Sequence, residues 1–145
     1  MRAVIQVVKR ASVKVDDMII SHINEGFLIL IAVHQNDDQE LVLKMADKIA
    51  NLRILADDRA KLNNSIKGSG AKILLVSQFT LYADCSRGNR PSFTEAAPAA
   101  QAEFLIEFLT KQLKDHGIEV QSGIFGAQME LELINDGPVT IILEA

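Results

Sequence analysis

Apolar and polar residues alternate along the first quarter of the chain, which is the pattern of half-buried β-strands. Four segments carry this pattern through the first 34 residues: AVIQVV, SVKV, MIISHI and FLILIAV. Turn-forming residues interrupt it twice, with DD at 16–17 and NEG at 24–26. The sequence therefore predicts that the chain begins with three antiparallel strands.

The spacing of apolar residues changes to three or four after Asp38, which is typical of a helix with one buried face. Asp37 or Asp38 is placed to cap its first turn. The apolar residues that would share this face are Leu41, Met45, Ile49 and Leu52.

A second helix is predicted from about Pro98 to His116, with Pro98 in its first turn and Gly117 ending it. Its buried stripe would consist of Leu105, Phe108, Leu109 and Leu113. His116 lies where the helix dipole favours a cation, so we interpret it as an electrostatic feature rather than a catalyst.

The remaining apolar segments predict four more strands. KILLVSQFTLYA follows the first helix, and its continuous apolar start is typical of a central strand covered on both faces. IEVQSG, QMELELI and VTIILEA follow the second helix. The predicted order is β-β-β-α-β-α-β-β-β, a single α/β domain over residues 1–145 with a mixed sheet and two main helices.

A Gly-Pro pair, Gly137-Pro138, interrupts the most apolar end of the chain within the stretch NDGPVTI. Asn, Asp and Gly tolerate turn conformations, and a proline can begin a strand without losing a needed hydrogen bond. Local rules therefore predict a hairpin between the last two strands.

The composition limits the classes of protein to which the chain can belong. With 145 residues, 48% hydrophobic and 23% charged, the chain fits one globular unit. The longest apolar run, FLILIAV, is far too short to span a bilayer, and the N-terminal segment does not resemble a signal peptide. A single cysteine, Cys85, fits a reducing compartment, so we expect a cytoplasmic protein.

The net charge of -4 argues against indiscriminate nucleic-acid binding but leaves room for a local basic patch. KGSGAK and SRGNR supply Lys67, Lys72, Arg87 and Arg90 in two expected loops. A solvated surface and a set of phosphate contacts both remain open for these four side chains.

Most familiar catalytic patterns are absent. The sequence has no P-loop, no G-x-G-x-x-G, no H-E-x-x-H and no cysteine pair, so no cofactor or metal is expected. His22 and His34 fit surface or structural roles better than metal ligation.

One stretch, SQFTLYADCSRGNRPSF, places a polar Ser77-Gln78 pair at the end of a buried strand. These side chains either satisfy neighbouring backbone groups or form a site. If the strand continued, Gln78 and Thr80 would share one face of the sheet.

Four segments, together with the MRAVIQ beginning, carry a resemblance over essentially the whole chain: SQFTLYAD, RPSF, GIFGAQME and NDGPVT. In this order they resemble the D-aminoacyl-tRNA deacylase family, also called the D-tyrosyl-tRNA deacylases. The resemblance implies a barrel-like mixed sheet and hydrolysis of the ester that joins a D-amino acid to the 3′-terminal ribose of tRNA. It also implies hydrolysis of glycine esters, such as glycine mischarged on tRNA(Ala), and no DNA or membrane partner.

The resemblance further implies a homodimer in which Gly137 and Pro138 form a cis pair that inserts into the partner's pocket and excludes L-amino acids. Ser77, Gln78, Phe79 and Thr80 match the motif that faces this pair. Phe125 and Met129 match positions that line the pocket toward the terminal adenosine, although ordinary packing also explains them. The family relies on the substrate's 2′-hydroxyl rather than a protein nucleophile.

One position departs from the family pattern. The family commonly reads Ile-Gln-Arg-Val near the N-terminus, whereas this chain has Val7 in place of the arginine that helps to orient the Gly-Pro pair. Gln128, where aspartate is frequent, is a smaller variation. Two alternatives to the hydrolase therefore stay open: a non-catalytic module that binds aminoacyl-tRNA or another adenosine end, and a purely structural oligomer.

Overall fold

The computed structural model describes residues 1–145 and contains eight strands, two α-helices and one short 3₁₀ helix. In chain order these elements are β1 (Arg2–Val15), β2 (Met18–Ile23), β3 (Gly26–Ala32), α1 (Gln39–Asn51), β4 (Arg53–Ala56), β5 (Leu62–Ser65), β6 (Lys72–Ser77), the 3₁₀ helix (Phe79–Tyr82), α2 (Ala99–Asp115), β7 (Val120–Ser122) and β8 (Glu130–Glu144). Neither helix is long and apolar enough to cross a membrane.

The long strand β1 organises the main sheet, because both of its edges are paired. β2 and β3 lie antiparallel along one edge and β8 along the other. β2 and β3 keep one register against β1 from Arg2↔Ala32 to Val13↔Ser21, so together they act as one interrupted strand. β6 joins β3 in parallel and β7 joins β6 in parallel, which gives a mixed, barrel-like sheet of six strands.

Apolar side chains are buried on both faces of this sheet. The larger cluster has 23 buried residues and lies between the sheet and the two helices, with Phe27, Ile29 and Leu75 among its members. A smaller cluster of 7 residues on the other face is covered by the first half of β8. Because β3 and β6 contribute to both clusters, they read as nearly continuous apolar runs in the sequence.

Both predicted helices are confirmed. The Asp38 carboxylate accepts a hydrogen bond from the Leu41 amide at 2.9 Å and caps α1, whereas Asp37 is buried and bonds elsewhere. α2 starts directly after Pro98 and ends before Gly117, whose φ of +80° reverses the chain.

The expected α/β class is confirmed, but the predicted order of elements is wrong in two places. An additional two-stranded sheet, β4 paired with β5, lies between α1 and β6. Each of these strands has only four residues, and LNNS has no apolar alternation, so the pattern gave no signal for them.

The second difference concerns the hairpin predicted at Gly137-Pro138, which is not formed. The segments on either side belong to the single strand β8, and both pair with β1. Gln6 lies opposite Thr140 and Val8 opposite Asn135, so residues 136–139 bulge out opposite one residue of β1. Because β1 is 14 residues long, it offers partners to both segments, which therefore need not pair with each other.

The predicted strand KILLVSQFTLYA is also shorter than expected. β6 ends at Ser77, and Phe79–Tyr82 form a 3₁₀ turn. The Gln78 amide makes a last hydrogen bond to the Ile31 carbonyl at 2.8 Å, and β3 itself ends one residue later. The expected alternation of Gln78 and Thr80 on one strand face is therefore wrong, since no neighbouring strand remains to extend the ladder.

Candidate active site

A cavity of about 510 Å³ opens where β6 ends, and it brings together most of the site residues predicted from the sequence. Its lining includes Ser77, Gln78, Phe79, Phe125 and Met129. Twelve of its fifteen lining residues are hydrophobic, so the polar groups of Ser77 and Gln78 face an otherwise apolar space. A concave apolar surface with few polar groups is the usual form of a ligand site.

Three separate elements complete the cavity. The end of β3 gives one wall, the start of α2 another, and the segment after β7 together with the first residues of β8 a third. The additional lining residues are Ala32, Val33, Val76, Ala97, Ala99, Ala102, Ile106, Gly126, Ala127 and Leu131. Small side chains along α2 leave the space open.

The 3₁₀ turn after Ser77 presents the motif residues. The Gln78 side-chain amide donates a hydrogen bond to the Thr80 hydroxyl, which fixes both side chains relative to each other although Thr80 does not line the cavity. Phe79 is 55% exposed and packs edge-on against Phe93, with ring centroids 5.2 Å apart. The first amides of such a turn have no acceptor within the helix, so they are available to a ligand.

The far end of the turn is anchored by Tyr82. Its ring lies 4.9 Å from the Arg2 guanidinium and 5.3 Å from the His34 ring. Arg2 also donates to the Leu81 carbonyl. Burial raises the pKa of Tyr82 to about 12, with a further contribution from the Asp37 carboxylate. This cluster holds the turn in place beside the cavity.

The segment from Asp84 to Ser92 follows the 3₁₀ turn and is closed by a bridge between its two ends. Asp84 and Ser92 exchange backbone hydrogen bonds of 2.8 and 2.9 Å. The Ser86 amide donates to the Asp84 carboxylate and lowers its pKa. Arg87 and Arg90 lie in this loop, are exposed and have no carboxylate within 4.0 Å.

Gly137 and Pro138 lie apart from the cavity, on the exposed bulge of β8. Their peptide bond is cis, as the resemblance implied, and Gly137 has a φ of +114°. Val7, opposite the bulge, shares a sheet row with Phe27 and Ile73, and Ile73 lies four residues before Ser77. With rises of about 3.3 Å and strand spacings of about 4.8 Å, the bulge is on the order of 20 Å from Ser77. It cannot reach the cavity of its own chain.

An apolar row crosses the outer face of the sheet and ends at the cavity. Ile142, Val4, Leu30 and Val76 are paired neighbours on β8, β1, β3 and β6. Ile142 is 65% exposed, whereas Val76 is 2% exposed and lines the cavity. Ile142 lies near the C-terminal end of β8, so the row ends at an exposed apolar side chain that a protein contact could cover.

A second cavity, of about 500 Å³, adjoins the first. It runs along α2 and is faced by residues 122–125. Ser77, Ile106 and Phe125 line both cavities. No three His, Cys, Asp or Glu side chains converge where they could hold a metal ion.

Sequence reasoning found the motif residues but missed the two cavities. The α2 residues that line the first cavity have only helical spacing, which does not distinguish a cavity wall from a core. The second cavity has one feature that is visible in the sequence. Four charged residues on α2 are spaced three or four apart and line it: Glu103, Glu107, Lys111 and Lys114.

Sequence comparisons give full-length similarity to one family. A family model described as D-Tyr-tRNA(Tyr) deacylase matches residues 4–144. A D-aminoacyl-tRNA deacylase of Dictyoglomus turgidum is 53% identical over 144 residues, which cover 99% of this chain and 92% of that protein. A D-aminoacyl-tRNA deacylase of Shouchella clausii is 46% identical over 145 residues, which cover 100% of this chain and 99% of that protein.

Solved structures share the same architecture. One described as c-Myc DNA Unwinding Element Binding Protein is 40% identical and superimposes with a TM-score of 0.93, over 100% of this chain and 99% of that chain. A probable eukaryotic D-amino acid tRNA deacylase is 16% identical and has a TM-score of 0.85, over 98% of this chain and 97% of that chain. The second likeness concerns the fold alone.

Proposed function

The chain belongs to the D-Tyr-tRNA(Tyr) deacylase family and is a D-aminoacyl-tRNA deacylase, a hydrolase, and we propose that it selects its substrates in a cavity completed by a second copy of itself. The proposal rests on the distance between two groups of residues that the resemblance assigns to one site. Five of the eight motif residues line one cavity, whereas Gly137 and Pro138 lie on an exposed bulge beyond its reach. In a symmetric dimer the bulge of each copy can enter the other's cavity.

The second copy covers the apolar row that ends at the cavity. Burying Ile142, 65% exposed in one chain, favours association. The row leads to Val76 at the cavity wall, so a partner packed there arrives beside Ser77. An isologous contact of this kind uses the same patch on both copies.

The bulge selects chirality through its backbone. The fixed φ of Pro138 and the compact glycine before it make a rigid wall of carbonyl oxygens, which can accept hydrogen bonds from the substrate's α-amino group. A wall that binds the α-amino group in this way leaves no volume for an L side chain, while a D side chain points outward. Hydrogen also fits, so glycyl esters, including glycine mischarged on tRNA(Ala), are accepted together with D-amino acids.

Hydrolysis of this ester requires mainly that the ester, the attacking water and the hydrogen-bond donors are correctly oriented. Water attacks the ester carbonyl carbon, the bond to the ribose oxygen breaks, and that oxygen takes up a proton as the amino acid and the tRNA separate. Backbone amides around Phe79 stabilise the negative charge that develops on the carbonyl oxygen. Gln78 and Thr80 hold the turn that presents these amides, and Phe125 and Met129 line the space for the terminal adenosine. The ribose 2′-hydroxyl assists, so Ser77 and Thr80 serve as positioning groups rather than nucleophiles.

The cellular compartment follows from the proposed substrate. Aminoacyl-tRNA is made and used in the cytoplasm, where we place the protein, and the single cysteine agrees with a reducing compartment. The whole chain, residues 1–145, serves as one deacylase domain.

The test is a comparison of esters on the purified protein. We expect faster release of the amino acid from D-aminoacyl-tRNA and glycyl-tRNA than in buffer, and no acceleration with L-aminoacyl-tRNA. A module that binds the adenosine end without turnover would retain tRNA and protect the D ester instead. Sedimentation at several concentrations gives the mass of the assembly, and a monomer that remains active would contradict the shared cavity.

A further inference from the structure

The cavity along α2 has a charge pattern that ester hydrolysis alone does not require. Its α2 wall carries two carboxylates followed by two ammonium groups, at Glu103, Glu107, Lys111 and Lys114. The acidic pair lies nearer the cavity that holds the motif residues, and the basic pair lies further along the helix. The lining is neutral as a whole but separated into an acidic and a basic half.

Both lysines have ammonium N–H donors that are not used in ion pairs. Lys111 donates to the Asp115 carboxylate at 2.7 Å, which occupies one of the three donors of its ammonium group. Lys114 forms no ion pair. Both are exposed, as on any helix face in water, but here residues 122–125 face them across a concave space. A ligand in that space would meet both ammonium groups.

We propose that this cavity holds the single-stranded nucleotides on the 5′ side of the aminoacylated adenosine, with Lys111 and Lys114 bound to their phosphates. The inference rests on the proposed function, which places the terminal adenosine beside Phe125. Phe125 is also a wall of the second cavity, so the polynucleotide can continue from one cavity into the other.

The dimensions agree with this path. At about 1.5 Å per helical residue, Lys111 and Lys114 lie roughly 8 and 12 Å along the axis beyond the shared residue Ile106. Stacked nucleotides rise about 3.4 Å each, so this distance corresponds to roughly two to four nucleotides. The carboxylates of Glu103 and Glu107 repel phosphate and can accept hydrogen bonds from base amino groups, which directs the phosphates to the basic half.

The test compares two matched lysine pairs. K111A/K114A removes the proposed phosphate ligands. K44A/K48A removes two lysines from α1, where Lys44 pairs with Glu40 just as Lys111 pairs with Asp115, and neither lines either of the two cavities described above. Each variant is measured with D-aminoacyl-tRNA over a range of salt concentrations and with the D-aminoacyl ester of adenosine alone.

We expect K111A/K114A to lower kcat/KM for the tRNA ester about tenfold at low salt, and to reduce the slope against log salt by roughly 1.4, or about 0.7 for each lost phosphate contact. The adenosine ester should be hydrolysed as by the unmodified protein, and K111R/K114R should retain the tRNA rate. An equal loss on both esters, or an equal loss in K44A/K48A, would overturn the assignment. Binding of uncharged tRNA gives the same comparison without turnover, so a failure of the proposed catalysis is distinguished from a failure of this site.

Discussion

Val7 is the single residue of β1 that lies opposite the bulge of β8 carrying Pro138. Its neighbours Gln6 and Val8 pair regularly with Thr140 and Asn135. The Val7 side chain is only 6% exposed and packs in the larger core cluster, so it gives the bulge apolar support and no hydrogen bond. The arginine that the family resemblance leads us to expect at this position would have donors for the carbonyl oxygens of the bulge.

We therefore expect Val7→Arg to sharpen chiral selection. The guanidinium offers five donors to the bulge carbonyls and would hold the selecting wall more rigidly. The ratio of kcat/KM for D over L esters should rise about threefold to tenfold relative to Val7→Met, which has similar length and no donors. A ratio that is the same in both variants would show that rigidity of the bulge does not limit selection.

Pro138→Ala tests the wall itself. Alanine releases the fixed φ of proline, so the carbonyl groups of the bulge become mobile and an L side chain can be accommodated. We expect the D over L ratio to fall at least about tenfold, mainly because L esters become substrates, while the exposed position keeps the loss of stability near 1 kcal/mol. Hydrolysis of both ester series and urea unfolding give the two quantities, and an unchanged ratio would contradict the assigned role.

Mixed dimers test whether the bulge acts on the other copy. One variant lacks Gly137 and Pro138, and the other carries Phe79→Pro, which removes a backbone amide proposed to stabilise the developing negative charge. Neither should hydrolyse D-aminoacyl-tRNA well alone, but after co-refolding half of the dimers contain one intact combination of cavity and bulge. Activity should return to about 25% of the unmodified level. No recovery in a mixture that sedimentation shows to be mixed would place the bulge outside the partner's site.

Gly26→Ala tests the junction of three strands. Gly26 pairs with Val8 on one side and Lys72 on the other, and a Cβ built on it overlaps the Lys72 carbonyl oxygen and lies 2.8 Å from its carbon. We expect a loss of about 3 kcal/mol in the free energy of unfolding, because one strand must move. Gly70→Ala is the control, since its φ of +79° is also positive but its Cβ meets nothing within 4 Å; it should cost about 1 kcal/mol. Equal losses would mean that the strands can separate.

The ionisation of Tyr82 can be followed directly, because the chain has one tyrosine and no tryptophan. Its pKa is raised to about 12 in the folded protein, whereas an unfolded tyrosine ionises near 10. The folded state therefore favours the neutral phenol. This contribution to stability is complete below pH 10 and is lost as the pH rises toward 12. Tyrosinate absorbance should have its midpoint near 12 in buffer and near 10 in urea, and a midpoint near 10 in the folded protein would show that Tyr82 is not buried by its neighbours.

Hydrophobic periodicity correctly predicted the elements that pack against the helices or pair with the long strands. β1, β2, α1 and α2 bury one regular face each, and β3 is a continuous apolar run buried on both faces, so their apolar residues follow patterns that the sequence shows. β4 and β5 pair mainly through their backbones, and LNNS carries no such repeat. The bulge was predicted as a hairpin because turn-forming residues were considered only with their immediate neighbours. The pairing is decided by β1, which is long enough to pair with both segments and lies more than a hundred residues earlier in the chain.

The site was predicted only where it lies on one continuous segment. Ser77 and Gln78 could be identified because polar residues end a buried strand, and Phe125 and Met129 through a recognisable motif. The walls contributed by Ala97, Ala99 and Ile106 have the composition of ordinary helix residues and become a cavity only through packing. The proposed insertion of the β8 bulge into a second copy is a relation between molecules, so it was expected from the family resemblance and not from hydrophobic periodicity or turn chemistry.

The lining that the two cavities share has an evolutionary consequence, because it consists of only Ser77, Ile106 and Phe125. Each of the other lining residues contacts one of these two cavities and not the other. With the roles proposed above, a lineage could broaden the range of amino acids it removes without weakening RNA binding, and it could adapt to a new tRNA repertoire without altering that range. Only at the three common positions does one substitution change both properties, and these are the places where adaptation of either kind would be most constrained.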